Sequence, residues 1–270
     1  MSRIQSCFAE LKERQRTALI PFITAGDSEP AMTVPLMHAL VEAGADLIEL
    51  GIPFSDPMAD GPVIQKAAER ALEHNVSLRD VLQMVAEFRQ RDDVTPVLLM
   101  GYLNPVEVMG YAAFAAEAGE AGVDGVLIVD LPPEEGGEIL PLLYAHQVDP
   151  VFLIAPTSDR GRIQKICDAS RGYVYYVSLK GITGAGHLDL DSVAQKVAEI
   201  REVSQLPLGV GFGIKDAATA AAMGKLADAV IVGSAIVNRI AEHQGDREGT
   251  IKAVSSFVSE LRAGLDGQIG

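Results

Sequence analysis

Residues 42–50, EAGADLIEL, contain a helix end, a turn and the start of a buried strand in one unit. The same unit recurs at Glu120–Asp124 (EAGVD) and at Gly224–Asp228 (GKLAD), and each copy runs into an apolar strand. Outward from these three, the chain alternates strand and helix throughout. The expected strands are Leu19–Thr24, Asp46–Leu50, Pro96–Gly101, Gly125–Asp130, Val151–Ile154, Tyr173–Ser178, Leu208–Gly211 and Asp228–Val232. Each is a short continuous apolar run, the pattern of parallel strands covered on both faces. Pro21 counts against the first strand, since proline removes a ladder donor.

The intervening segments have helical signals. Over 78–91, Leu78, Val81, Leu82, Val85 and Phe88 form one apolar stripe, and Ser77 with Asp80 makes a capping box. Further helices are expected over 4–15, 63–74, 105–119, 134–146, 159–170 and 249–263. Asp27 or Ser28 is placed to cap the helix before Gly44, with Pro30 in its first turn. No linker, low-complexity tract or composition step divides the chain. Eight strands alternating with helices in one domain over residues 1–270 spell a single-domain (β/α)8 TIM barrel with an extra N-terminal helix. A doubly wound open sheet is the alternative, but its glycine fingerprint is absent after the first strand.

Composition narrows the function. The chain has 37 acidic against 22 basic residues, a net charge of −15, which disfavours nucleic acid and anionic membranes as partners. A small phosphorylated molecule stays open, because backbone amides alone can hold a phosphate. The two cysteines, Cys7 and Cys167, form no disulfide framework, and no His/Cys/acid cluster has metal-ligand spacing. The first residues are charged and helical rather than signal-like, and no window is apolar enough for a membrane span. The expected location is the cytoplasm, or a plastid if a transit peptide has been removed.

Candidate chemistry sits at the C-terminal strand ends, which face the active site in a barrel. Glu49 is a carboxylate in a strand that otherwise reads as buried, with few basic residues in the strands to pair it. In an apolar barrel mouth its pKa rises, so it can deliver a proton near neutral pH. Eleven residues on, Asp60 lies in a loop stiffened by Pro53, Pro57 and Pro62. It can meet Glu49 across a substrate only if that loop folds back over the mouth; otherwise Asp56 and Asp60 are turn formers. Gly211-Phe212-Gly213 and Gly233-Ser234 follow the last two strands, where barrels frequently bind phosphate; plain tight turns are the other reading. Lys180–Gly186 reads either as a mobile lid or as a solvent loop. Tyr175 points either into the barrel or out to the helices.

The run Ile48–Pro62 (IELGIPFSDPMADGP) closely resembles the signature of the tryptophan synthase α subunit. Pro21–Asp27, Tyr102–Pro105, Asp130–Glu135, Gly181–Ala185, Gly211–Ile214 and Gly233–Val237 agree with that family in the same order. The resemblance implies a (β/α)8 barrel that cleaves indole-3-glycerol phosphate to indole and glyceraldehyde 3-phosphate. It implies Glu49 as the acid/base at indole C3 and the hydroxyl, and Asp60 as the carboxylate facing the indole N–H. It further implies phosphate at Gly184, Gly213, Gly233 and Ser234. Phe22, Ile64, Met100 and Phe212 would form the indole pocket, with Tyr175 close to Glu49 and Thr183 on the closing loop.

Asp56, Pro57, Asn104 and Pro132 match positions near a β-subunit contact in an α2β2 tetramer. Pyridoxal phosphate belongs to that partner, so no cofactor is expected in this chain. Ser178 is followed by Leu179 and Lys180, where many members carry an arginine, and the Met100 position is often leucine. Two rival readings are a barrel kept mainly as an activating subunit, and a phosphosugar isomerase.

Overall fold

The computed structural model describes residues 2–177, 190–211 and 213–267. Among these residues nine strands lie in one parallel sheet: β1 (Ala18–Thr24), β2 (Ile48–Gly51), β3 (Val97–Gly101), β4 (Gly125–Ile128), β5 (Asp149–Pro150), β6 (Leu153–Ile154), β7 (Val174–Val177), β8 (Leu208–Gly211) and β9 (Ala229–Val232). Their order is β5-β4-β3-β2-β1-β9-β8-β7-β6, so both ends of the sheet belong to residues 149–154. There the Val151 amide donates to the Val126 carbonyl (2.9 Å), and the Tyr175 amide donates to the Phe152 carbonyl (3.2 Å). The sheet therefore closes into the (β/α)8 barrel. Its fifth stave is two short pieces rather than the one strand expected over 151–154, and Pro150 within it has no N–H for the ladder. Pro21, by contrast, sits inside β1 without breaking it.

Around the sheet run α1 (Arg3–Glu13), α2 (Thr33–Glu42), α3 (Pro62–Glu73), α4 (Leu78–Phe88), α5 (Leu103–Met109), α6 (Tyr111–Ala121), α7 (Ile139–Ala145), α8 (Arg160–Ala169), α9 (Leu190–Arg201), α10 (Ala217–Gly224), α11 (Ser234–Glu242) and α12 (Arg247–Leu265). The helix expected over 105–119 is two, because Gly110 turns the chain at φ 87°, a conformation L-residues avoid. The helix expected over 134–146 begins only at Ile139; a 3₁₀ turn, Pro133–Glu135, and Gly136-Gly137 precede it. The capping box of Ser77 and Asp80 is present as expected. Asp27 is not a cap. It is 1% exposed and held by both forks of Arg70, at 2.6 and 2.7 Å.

Strand alternation divides the core in two. On β1, Leu19 and Ile23 face the helices, whereas Ala18 and Ile20 face the barrel interior with Leu47, Leu98 and Leu127. Ile4, Phe8 and Leu11 of α1 join that interior cluster, so the extra helix plugs one end of the barrel.

The aspartates of the repeated unit do one job three times. Asp46 accepts from the Leu19 amide (2.8 Å), Asp124 from the Val97 amide (2.8 Å) and Asp228 from the Leu208 amide (2.7 Å). Each thus ties the start of its own strand to the start of the preceding one. Each also pairs with arginine: Asp46 with Arg16 and Arg262, Asp124 with Arg3 and Arg89, Asp228 with Arg201. These charges lie at the N-terminal rim, the stability end of a barrel. The opposite rim is left for chemistry.

Candidate active site

Glu49 lies on β2 with its side chain inside the barrel, 0% exposed. Its Oε1 accepts a 2.8 Å hydrogen bond from the Tyr173 hydroxyl, and its Oε2 has no partner among the described residues. No cation pairs with it among those residues. Burial is the main influence and pushes its pKa up to about 8, against a smaller downward pull from the Tyr173 hydroxyl. At that pKa Glu49 is mainly protonated at pH 7, with one oxygen accepting from Tyr173 and the other engaged by no described residue. Tyr173 is itself seated on Phe8 of the plug helix, with ring centroids 5.7 Å apart.

Toward the C-terminal rim, Phe22, Thr24, Asp60, Ile64, Met100 and Tyr102 line one pocket, together with Ile52, Phe54 and Pro57. The proline loop therefore does fold back over the mouth. Two side chains hold it there. The Tyr102 hydroxyl donates to Asp60 Oδ2 (3.0 Å) and accepts from the Ala59 amide (3.1 Å), while the Gln65 side-chain amide donates to the Asp60 carbonyl (2.7 Å). Burial raises the Asp60 pKa above the usual carboxylate value, and the Tyr102 hydrogen bond opposes that rise. Phe22 needs Gly51 beside it: a Cβ there would stand 2.6 Å from the ring.

Tyr175 turns inward, packed on the interior cluster, and the charges of both Glu49 and Asp60 discourage its ionisation after burial has done so. Gly211 makes its room, since a Cβ at 211 would stand 2.2 Å from the Tyr175 hydroxyl. Gly213, at φ +75°, follows β8; Gly233 follows β9, and Ser234 opens α11, so amides at that helix start are directed to the same rim. A Cβ on Gly233 would lie 3.6 Å from Phe22, which joins this turn to the pocket. Thr183, Gly184 and Phe212 fall outside the described residues, as does the glycine loop at 180–186.

Asp56 and Asn104 are exposed, and Pro57 and Pro132 are half-buried; Pro57 also lines the pocket, a second role that its sequence context did not suggest. Sequence reasoning marked the Tyr102 position as a polar strand end but paired neither carboxylate with its hydroxyl, Tyr102 for Asp60 and Tyr173 for Glu49. Tyr173 stands two residues before Tyr175 on the same face of the strand, and Tyr102 directly follows β3 at the C-terminal rim; those positions were the available signal.

A closed parallel barrel with a carboxyl buried and raised in pKa in its interior and a second carboxyl at its lip has the groups an acid–base enzyme needs. Comparison with known proteins narrows this. The family model described as tryptophan synthase alpha chain matches residues 8–266. The tryptophan synthase alpha chain of Thioalkalivibrio sulfidiphilus is 62% identical over 266 residues, covering 98% of this chain and 100% of the relative. Among solved structures, tryptophan synthase subunit alpha from Legionella pneumophila superposes with a TM-score of 0.93 at 46% identity, covering 99% of each chain. An aminoacrylate-bound tryptophan synthase from M. tuberculosis gives 0.88 at 35% identity, over 98% of this chain and 100% of that one. The chain belongs to the tryptophan synthase alpha chain family. It is a lyase of tryptophan biosynthesis.

Proposed function

We propose that the half-reaction carried out here is the retro-aldol cleavage of indole-3-glycerol phosphate to indole and glyceraldehyde 3-phosphate, on one barrel domain spanning residues 1–270. Glu49 delivers its proton to indole C3. The ring nitrogen becomes electron-poor, and the Asp60 carboxylate accepts from its N–H and offsets the developing positive charge. The Glu49 carboxylate then takes up the proton of the hydroxyl next to the scissile bond. That C–C bond breaks, its electron pair returns to the ring, and an aldehyde remains on the phosphorylated fragment. Phe22, Ile64, Met100 and Phe212 grip the indole, with Tyr175 behind it. Gly184, Gly213, Gly233 and Ser234 hold the phosphate through backbone amides and one hydroxyl, and Thr183 closes over Asp60. The observation that carries this reading is Glu49 itself: a fully buried carboxyl with no cation beside it and one oxygen unengaged among the described residues, its pKa raised by burial to about 8.

In this reading the indole passes to a tryptophan synthase β subunit that holds pyridoxal phosphate, in an α2β2 assembly located in the cytoplasm. Asp56, Pro57, Asn104 and Pro132 face that partner. Support comes from two large apolar side chains in the same segments, Met58 at 85% and Val108 at 82% exposed, the kind of surface that a partner covers. No helix among the described residues is long and apolar enough to cross a membrane.

The test is indole release from indole-3-glycerol phosphate, alone and with the β subunit, across pH. The acid form of Glu49 starts the reaction, so kcat/KM is expected to fall as pH rises through about 8. Absence of cleavage in both mixtures, or a rate still rising beyond pH 9 (about one unit above that value), contradicts the proposal.

A further inference from the structure

Thr24 closes β1 with its side chain in the pocket beside Asp60, Ile64 and Met100. It is 3% exposed, and its Oγ1 has no hydrogen-bond partner among the described residues. Buried hydroxyls nearly always find one, and a solitary one carries a desolvation penalty for the folded state. The other orphan oxygen in this region is Glu49 Oε2, on the adjacent strand, where Phe22 pairs with Glu49 and Thr24 with Gly51. Thr24 therefore stands one inward-facing step beyond Phe22, on the mouth side of the Glu49 layer.

Sheet order says what passes over it. β1 lies between β2, which carries Glu49, and β9, which ends in the Gly233-Ser234 turn. A substrate with its reacting carbon at Glu49 and its phosphate at that turn must span the end of β1. The part between indole and phosphate is the glycerol chain with its hydroxyls. We propose that Thr24 Oγ1 hydrogen-bonds a hydroxyl of that chain and so sets the rotation about the bond to be broken. The proposal rests on the substrate assigned above. It makes Thr24 a substrate contact through an oxygen that no described residue engages.

The test compares Thr24→Val, which keeps the shape and loses the hydroxyl, with Thr24→Ser, which keeps the hydroxyl. Each is assayed for cleavage of indole-3-glycerol phosphate and for binding of 3-(indol-3-yl)propyl phosphate, which lacks both chain hydroxyls. Thr24→Val is expected to lower kcat/KM about tenfold, the worth of one neutral hydrogen bond, and to melt no lower than wild type. Thr24→Ser should stay within about twofold of wild type. All three proteins should bind the propyl phosphate equally, within about twofold. Wild-type kcat/KM in Thr24→Val overturns the proposal. So does an equal loss in Thr24→Ser, or a loss of propyl phosphate affinity that matches the loss of kcat/KM. If the assigned function is itself wrong, wild type neither cleaves the one compound nor binds the other, which distinguishes that failure from this one.

Discussion

Glu49→Gln is expected to lower kcat for indole release by about 10²–10⁴-fold, the range spanned by positioned acid–base groups. The substitution isolates the proton. Glutamine keeps the volume and still accepts the Tyr173 hydroxyl bond that now reaches Oε1. It cannot donate to indole C3 with useful acidity, and it cannot take up the hydroxyl proton. The same change has a second consequence of opposite sign. In the folded protein Glu49 ionises near 8, in the unfolded chain near 4.5. Its contribution to stability is therefore complete below 4.5 and is lost as pH rises through about 8. Glu49→Gln has no such loss, so its stability should gain on wild type by ~1.4 kcal/mol per pH unit across that interval. Denaturant midpoints at several pH values check this beside the kinetics. An inactive but relatively stabilised variant is the signature of a carboxyl kept buried for chemistry. Parallel pH–stability curves for the two proteins would contradict it.

Asp124→Ala is expected to remove about 3–5 kcal/mol of stability, the usual result of stripping one partner from a buried ion pair. Asp124 is 3% exposed and holds Arg3 (2.9 Å), Arg89 (2.6 Å) and the Val97 amide (2.8 Å). Its removal leaves the Arg89 side chain, 10% exposed, without its carboxylate. The equivalent aspartate of another copy of the repeat provides the comparison. Asp228 and Arg201 are 38% and 40% exposed, and exposed pairs contribute about 1 kcal/mol or less. Asp228→Ala should therefore lose markedly less, its missing bond to the Leu208 amide included. Urea midpoints order the two variants, and equal losses would mean that burial does not set the value of this motif. Both residues sit at the rim away from the pocket, so kcat of the folded fraction should stay near wild type.

That repeat also explains how much of the molecule was legible beforehand. Its periodic return, with continuous apolar strands, announced the barrel and located Glu49 as a carboxylate with few basic residues in the strands to pair it. What escaped was of two physical kinds. Breaks in regular elements depend on single residues: Gly110 at φ 87° splits one helix, and the fifth stave, with Pro150 in it, is interrupted, although Pro21 is tolerated in β1. Contacts across the barrel depend on closure, which pairs Tyr173 with a residue 124 positions away and Tyr102 with Asp60 across 42. Local pattern does not encode such separations. Asp27 illustrates the same limit: an apparent cap by composition, it is engaged by Arg70 from another helix. The division of the proline loop between Asp60, which lines the pocket, and the exposed Asp56 rested on resemblance; its geometry came only with the folded chain.

The most direct test of the central claim is the titration of one carboxyl. Difference infrared spectra of wild type minus Glu49→Gln, collected across pH in the free protein, isolate the Glu49 C=O stretch. The band of the neutral acid should persist through pH 7 and give way to carboxylate with a midpoint at about 8. A midpoint near 4.5, the ordinary value for glutamate, would mean that Glu49 is ionised at neutral pH, and it would remove the proton on which the proposed cleavage begins.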